Sequence, residues 1–195
     1  MPYPSQIDAQ NLGCDALKIV EARGWAAWSM RDVASELDVT VNAIYRYVDN
    51  REDLVVAVGE AAAHALAAHL GKAKQQGEAR LIELAHRYIK FSVNRPHAFA
   101  AFVHAKPPSD DPRIAAWFGV LNQVHEVMAA LLPEATSAAT FTCWAFLRGR
   151  AELARGPRQP ISPTAGLDDA VRALVAGFRA LGTVPSPFPA KKNNR

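Results

Sequence analysis

Apolar residues recur at three- and four-residue spacing along nearly the whole chain. No stretch alternates with the period of two that a half-buried strand requires, so the pattern predicts an all-α protein of about nine helices. The first spans residues 5–23, with Ile7, Leu12, Ala16, Ile19 and Val20 near helical spacing and Gly24 as its stop. Ser29 followed by Asp32 is a capping signature, and Val33, Ala34 and Leu37 form the apolar face of a short second helix. Asp38 and Val39 interrupt that period. Thr40 caps a restart from Val41 to Val48, whose inward face is Ile44 with Tyr47 or Val48, and Asn50 caps a third start at Arg51. A long alanine-rich helix then runs to about Gly71. Lys72 to Arg80 is polar and unpatterned, and it reads as a joint with Lys74 to Glu78 at its centre. Helices follow near 79–94, 97–105, 112–132, 135–155 and 167–181, divided by Pro96, Pro107 and Pro108, Pro133 and the proline-rich loop 157–166. Residues 183–195 are expected to be a disordered tail.

Two helices of about two turns, joined by three or four residues, make a helix-turn-helix, in which the second helix enters the DNA major groove. The stretch Tyr45 to Leu54, YRYVDNREDL, resembles the DNA-binding region of the TetR/AcrR family of bacterial transcriptional regulators. Tyr45, Tyr47, Val48, Arg51 and Leu54 are in register, with Gly24 and Ala34 upstream. Asp38 stands where that family usually has glycine and Arg51 where it usually has lysine. The resemblance implies an N-terminal helix-turn-helix domain over 5–70, with its motif at 29–48, and a helical ligand-binding and dimerisation domain over 71–182. It also implies DNA contacts from Thr40, Asn42, Tyr45 and Tyr47. Hydroxyls would go to phosphate, Asn42 could address a base edge, and Val41 and Ala43 could touch a thymine methyl. Ser29, Arg31, Arg46 and Arg51 complete the candidate DNA surface. Tyr45 reads equally well as a half-buried core ring, whereas Trp25 and Trp28 read as staples of the first helix on the second.

Charge sharpens this reading. The 195 residues carry a formal net charge of +3, but residues 1–70 hold five cations against ten carboxylates. DNA recognition must therefore rest on where Arg31, Arg46 and Arg51 sit, with few phosphates neutralised. Cys14 and Cys143 lie in apolar helical runs and read as two buried thiols of a reduced cytoplasm. No signal peptide and no apolar run of membrane-spanning length stands out, so the expected location is the cytoplasm, with no membrane partner. No metal-ligand spacing, phosphate loop, nucleophile–base pair or carboxylate pair points to an enzyme or a cofactor.

In the second domain, Thr142 to Leu153 is similar to the tryptophan-x3-histidine-glycine signature of one C-terminal domain type in the same family. Trp144 and Gly149 fit, while Arg148 replaces the histidine. The resemblance implies a dimer contact on the last two long helices, where Ala138, Phe141, Ala145, Gly149, Leu174, Val175 and Phe178 offer small and apolar surface. It further implies a small-molecule pocket. Candidate lining residues are Phe91, Phe99, Phe102 and Val103, then Trp117, Phe118, Leu121 and His125, then Phe141 and Trp144, with Arg148 as a partner for an anionic ligand. The expected function is a homodimeric repressor on a palindromic double-stranded DNA operator, released by a small-molecule effector. The rival is an architectural or co-regulatory DNA-binding protein without an effector.

Overall fold

The computed structural model describes residues 8, 11–156 and 162–187, and these contain nine α-helices, one 3-10 turn and no strand. In chain order they are α1 (Leu12–Arg23), α2 (Met30–Glu36), α3 (Val41–Ile44), α4 (Arg51–Leu70), α5 (Gly77–Asn94), α6 (Pro96–His104), α7 (Ile114–Leu131), the 3-10 turn Pro133–Ala135, α8 (Thr136–Arg155) and α9 (Leu167–Leu181). Local chemistry sets most of these limits. Gly24, at φ 98°, closes α1 with its N–H on the Val20 carbonyl. Ser29, in extended backbone, and Asp32 form a reciprocal capping box at the start of α2. Proline opens α6, at a position whose N–H would find no helical acceptor.

The described residues fall into two compact units that interleave along the sequence: residues up to 68 with 94–120, and residues 69–93 with 121 onward. The first unit contains the helix-turn-helix together with α6 and the first part of α7. Its core includes Val20, Val33, Ile44, Leu54, Phe99 and Phe102. Close backbone approaches also hold it. A methyl group added at Gly13 would lie 2.5 Å from the Ala57 carbonyl oxygen, and one at Gly59 would lie 2.7 Å from the Ala105 side chain. Polar ties reinforce the packing. Arg95 Nε and Nη2 donate to the two carboxylate oxygens of Glu21, each at 2.7 Å. His97 Nδ1 accepts from the Trp25 backbone N–H at 3.3 Å, and Arg113 donates to Asp53 in the first turn of α4 at 2.6 Å.

In the second unit α5, the later part of α7, α8 and α9 bury Leu84, Tyr88, Ile89, Met128, Leu147 and Val175. His86 on α5 meets Asp168 on α9 at 2.5 Å, and Glu78 meets Arg179 at 3.6 Å. The carboxyl of Glu83 accepts from the backbone N–H groups of Lys74 and Gln75 and from Arg87. The connection between α4 and α5 is therefore held by one side chain rather than left slack.

Four expectations are corrected. The α-helical part of the reading element ends at Ile44, not Val48; Tyr45 to Tyr47 continue as turns, with Tyr47 N–H on the Ile44 carbonyl. Four helical residues leave too little internal bonding to stand alone, so packing decides where the helix stops. Cys14 is exposed while Cys143 is buried, because the apolar period of α1 turns Cys14 to solvent. Helix α5 begins at Gly77, inside the segment read as unpatterned. Finally, α4 and α7 are long and apolar enough to cross a membrane by length and composition. Both hold buried core residues, Leu54, Val58 and Leu66 on α4 and Val120, Val124 and Met128 on α7.

Residues 183–187, read as part of a tail, are described, and Val184 N–H donates to the Glu134 carbonyl at 3.4 Å. The start of the first predicted helix, residues 157–161 of the loop before α9 and the basic end at 188–195 lie outside the described residues.

Candidate nucleic-acid interface

The reading element is built by two caps and one anchor. Thr40, in extended backbone, accepts the Ala43 N–H on its hydroxyl at 3.2 Å and so starts α3. Asp38 makes the preceding turn at φ 52°, the one non-glycine residue at positive φ among those described, and its short polar side chain tolerates that region. Ile44, fully buried, pins the helix inward. Asn50 accepts the Asp53 N–H at 2.8 Å and starts α4 immediately afterwards.

What remains outward is the candidate surface. Thr40, Asn42, Tyr45, Arg46 and Tyr47 are exposed, as are Arg31 and Arg51, while Val41 and Ala43 are half-buried. Tyr45 is 46% exposed, so about half of the residue faces outward. Ser29 is half-buried, and its hydroxyl meets the Asp32 carboxylate at 2.6 Å. That contact holds the Asp32 carboxyl below its usual range. Arg51 lies 5.0 Å over the ring of Trp28, which is itself buried, so the indole serves as a platform for the guanidinium. The arrangement offers hydroxyls, one amide and cations to a polyanion with base edges, and none of these groups is placed as a nucleophile–base pair.

The residues read as a ligand pocket do not share one cavity. Phe99, Phe102 and Trp117 are buried in the first unit, where Phe102 stacks on Trp117 and the indole N–H donates to the Phe102 carbonyl at 2.8 Å. Val103 is half-buried and Phe118 exposed in the same unit. Phe91 is buried in the second unit, its ring 5.8 Å from that of His69. Leu121, His125, Phe141 and Trp144 do come together, with Asn122, Ser137 and Thr140, around a half-open notch of about 230 Å³ between α7 and α8. Trp144 is set edge-on to Tyr88 at 5.4 Å, and the Thr140 hydroxyl lies 3.4 Å from His125 Nδ1. Arg148 is outside that lining and lies 4.0 Å from Glu152. Sequence reading missed Asn122, Ser137 and Thr140. Their signal was spacing: Asn122 is three residues from His125, Ser137 is four from Phe141 and Thr140 is four from Trp144, so each shares a helix face with a residue already named as a candidate.

Of the residues read as a dimer contact, Ala138 and Val175 are buried within the second unit, Leu174 and Phe178 are half-buried, and Phe141, Ala145 and Gly149 are exposed. A methyl group added at Gly149, or at Gly177 on α9, would meet nothing within 4 Å.

Residues 15–58 match the family model described as bacterial regulatory proteins, tetR family. No curated protein matches the sequence. Among solved structures, the fold is similar to the transcriptional regulator FadR from Bacillus subtilis in complex with stearoyl-CoA. That likeness has a TM-score of 0.66 at 13% identity, covering 87% of this chain and 99% of that one. A tetR-family transcriptional regulator from Streptomyces coelicolor gives a TM-score of 0.62 at 20% identity, with 93% and 82% covered. BioQ, solved with its double-stranded DNA operator, gives a TM-score of 0.62 at 20% identity, with 90% and 99% covered. These likenesses show the fold.

Proposed function

We propose that this member of the tetR family of bacterial regulatory proteins, a DNA-binding transcription regulator, is a cytoplasmic repressor that binds a palindromic operator as a homodimer and lets go when a small effector binds. The observation that carries the reading is the capped, four-residue α3, anchored by Ile44 and presenting Asn42, Tyr45, Arg46 and Tyr47 to solvent. Asn42 addresses a base edge, the tyrosine hydroxyls and Arg51 meet phosphates, and Val41 and Ala43 lie close enough to the surface to meet a thymine methyl. Ser29 acts through the cap that positions α2.

Two copies join through the outward faces of α8 and α9. Ala145 and Gly149, flanked by Phe141 and Leu153, supply small and apolar surface, and open space at Gly149 and Gly177 leaves room for a crossing helix. Twofold symmetry then sets the two reading helices about 34 Å apart, or a multiple of that, along the operator. An effector held by the helical unit shifts the population between operator-competent and operator-incompetent states by its differential affinity, typically about 1–3 kcal/mol. The α7–α8 notch is the effector site.

Fluorescence anisotropy on the DNA upstream of the chain's own gene, with scrambled DNA as competitor, tests this. Specific binding that survives the competitor is expected, and binding abolished by scrambled DNA would sink the repressor reading. Arg46→Ala separates base from phosphate contact: a base-reading arginine is worth about 1–3 kcal/mol of discrimination, whereas a phosphate contact lowers affinity uniformly across sequences.

A further inference from the structure

The notch between α7 and α8 is lined by apolar side chains, uncharged amide and hydroxyl groups and one imidazole. Leu121, Phe141 and Trp144 supply apolar wall; Asn122, Ser137 and Thr140 supply an amide and two hydroxyls. His125 adds an imidazole beside Thr140. No lysine, arginine, aspartate or glutamate takes part. Phe141 and Trp144 lie three residues apart on α8 and so share a face, and the edge-on contact of Trp144 with Tyr88 fixes one ring from behind. The volume, about 230 Å³, falls below the roughly 300–1,000 Å³ of sites that enclose drug-sized ligands.

We propose that the effector of this notch is a small, flat, uncharged molecule of the aromatic amide or phenol class, its ring laid against Phe141 and Trp144 and its polar group bonded to Thr140, Ser137 or Asn122. The inference rests on the ligand-responsive reading above and narrows it. A carboxylate entering the notch would give up its water with no arginine or lysine among the lining residues to replace it. A coenzyme A thioester, the ligand class of the Bacillus subtilis FadR structure, carries several phosphate charges that this lining does not match. An uncharged ring with one or two hydrogen-bonding atoms satisfies the walls and the polar groups together.

Isothermal titration calorimetry of the full chain with benzamide, benzoate and butyryl-CoA tests this, using wild type, Ser137→Leu, Thr140→Val and Thr140→Ser. Benzamide is expected to bind wild type more tightly than either anion. Ser137→Leu, which fills the notch, should weaken it at least about tenfold. Thr140→Val should weaken it roughly threefold to tenfold, the worth of one net hydrogen bond, and Thr140→Ser should restore it. Benzoate or butyryl-CoA binding more tightly than benzamide, with sensitivity to Ser137→Leu, would overturn the ligand class and leave the effector reading standing. Benzamide binding that ignores both substitutions would overturn the site. Absence of binding by all three probes overturns the proposal, and the operator assay, run on the same protein, reports separately whether the regulator reading survives.

Discussion

The reading motif and the α8–α9 pair both leave large apolar side chains in water, but of different kinds. At the reading element these are Tyr45 and Tyr47, rings that end in a hydroxyl. On α8 and α9 they are Phe141, Leu153 and Leu181, which carry no polar side-chain atom. The first surface can meet charged oxygens without leaving a polar group unpaired; the second offers its neighbours only apolar contact. The frames differ as well. The helix-turn-helix is made of helices too short to persist alone and relies on caps, one buried anchor and long-range ion pairs, whereas α8 and α9 run 20 and 15 residues. On the proposed function, the two surfaces would meet two recognition problems with opposite chemistry.

The contrast breaks most sharply at the anchor. Ile44→Ala removes the fully buried side chain that holds α3, and should cost about 2–5 kcal/mol in urea unfolding and abolish operator binding in the anisotropy assay. A cost below about 1 kcal/mol would mean that α3 is held by its caps alone. On the other surface, Gly149→Trp should convert a dimer to a monomer in sedimentation, since a side chain projecting from the open face collides with a crossing helix. Gly149→Ala then sharpens the point. In an isolated chain it should stabilise α8 by about 1 kcal/mol through helix propensity, so a loss of stability at dimer-forming concentration locates the crossing there. Asp38→Gly relieves the left-handed backbone of the turn and should raise stability by about 0.5–1 kcal/mol, read by the same urea titration; a loss would show that the Asp38 side chain itself holds the turn.

The smallest effect is in pH. The Gln75 backbone N–H, the Arg87 guanidinium and the Lys74 N–H hold the Glu83 carboxyl down to about 2. A depressed carboxyl contributes stability above its ordinary value near 4.5 and loses it as pH falls toward the folded value. Glu83→Gln should therefore lower the melting temperature at neutral pH, and its difference from wild type should fade between about pH 4.5 and 2. A difference independent of pH would sink this account.

Much of the fold was legible because local chemistry sets it. Ser29 with Asp32, Thr40, Gly24 and the prolines mark helix limits through contacts a few residues apart, and those limits appear where the pattern put them. The length of α3 was not legible, since packing at Ile44 rather than hydrogen bonding decides where a four-residue helix ends. The pairs Glu21–Arg95 and Asp53–Arg113 join residues 74 and 60 positions apart, and no periodicity carries that information. The aromatic residues split for a related reason. Phe99, Phe102 and Phe141 share composition and helical spacing, but only the fold separates Phe99 and Phe102, which pack on one another with Phe102 stacked on Trp117, from Phe141, which lines a notch.

Those long-range pairs bear on how such regulators could be recombined. A chimera that transplants residues 1–68 onto a foreign effector domain would carry Glu21, Trp25 and Asp53 but leave Arg95, His97 and Arg113 behind. The first compact unit is discontinuous: it comprises the N-terminal segment and residues 94–120 together, and a graft cut after residue 68 would part these pairs.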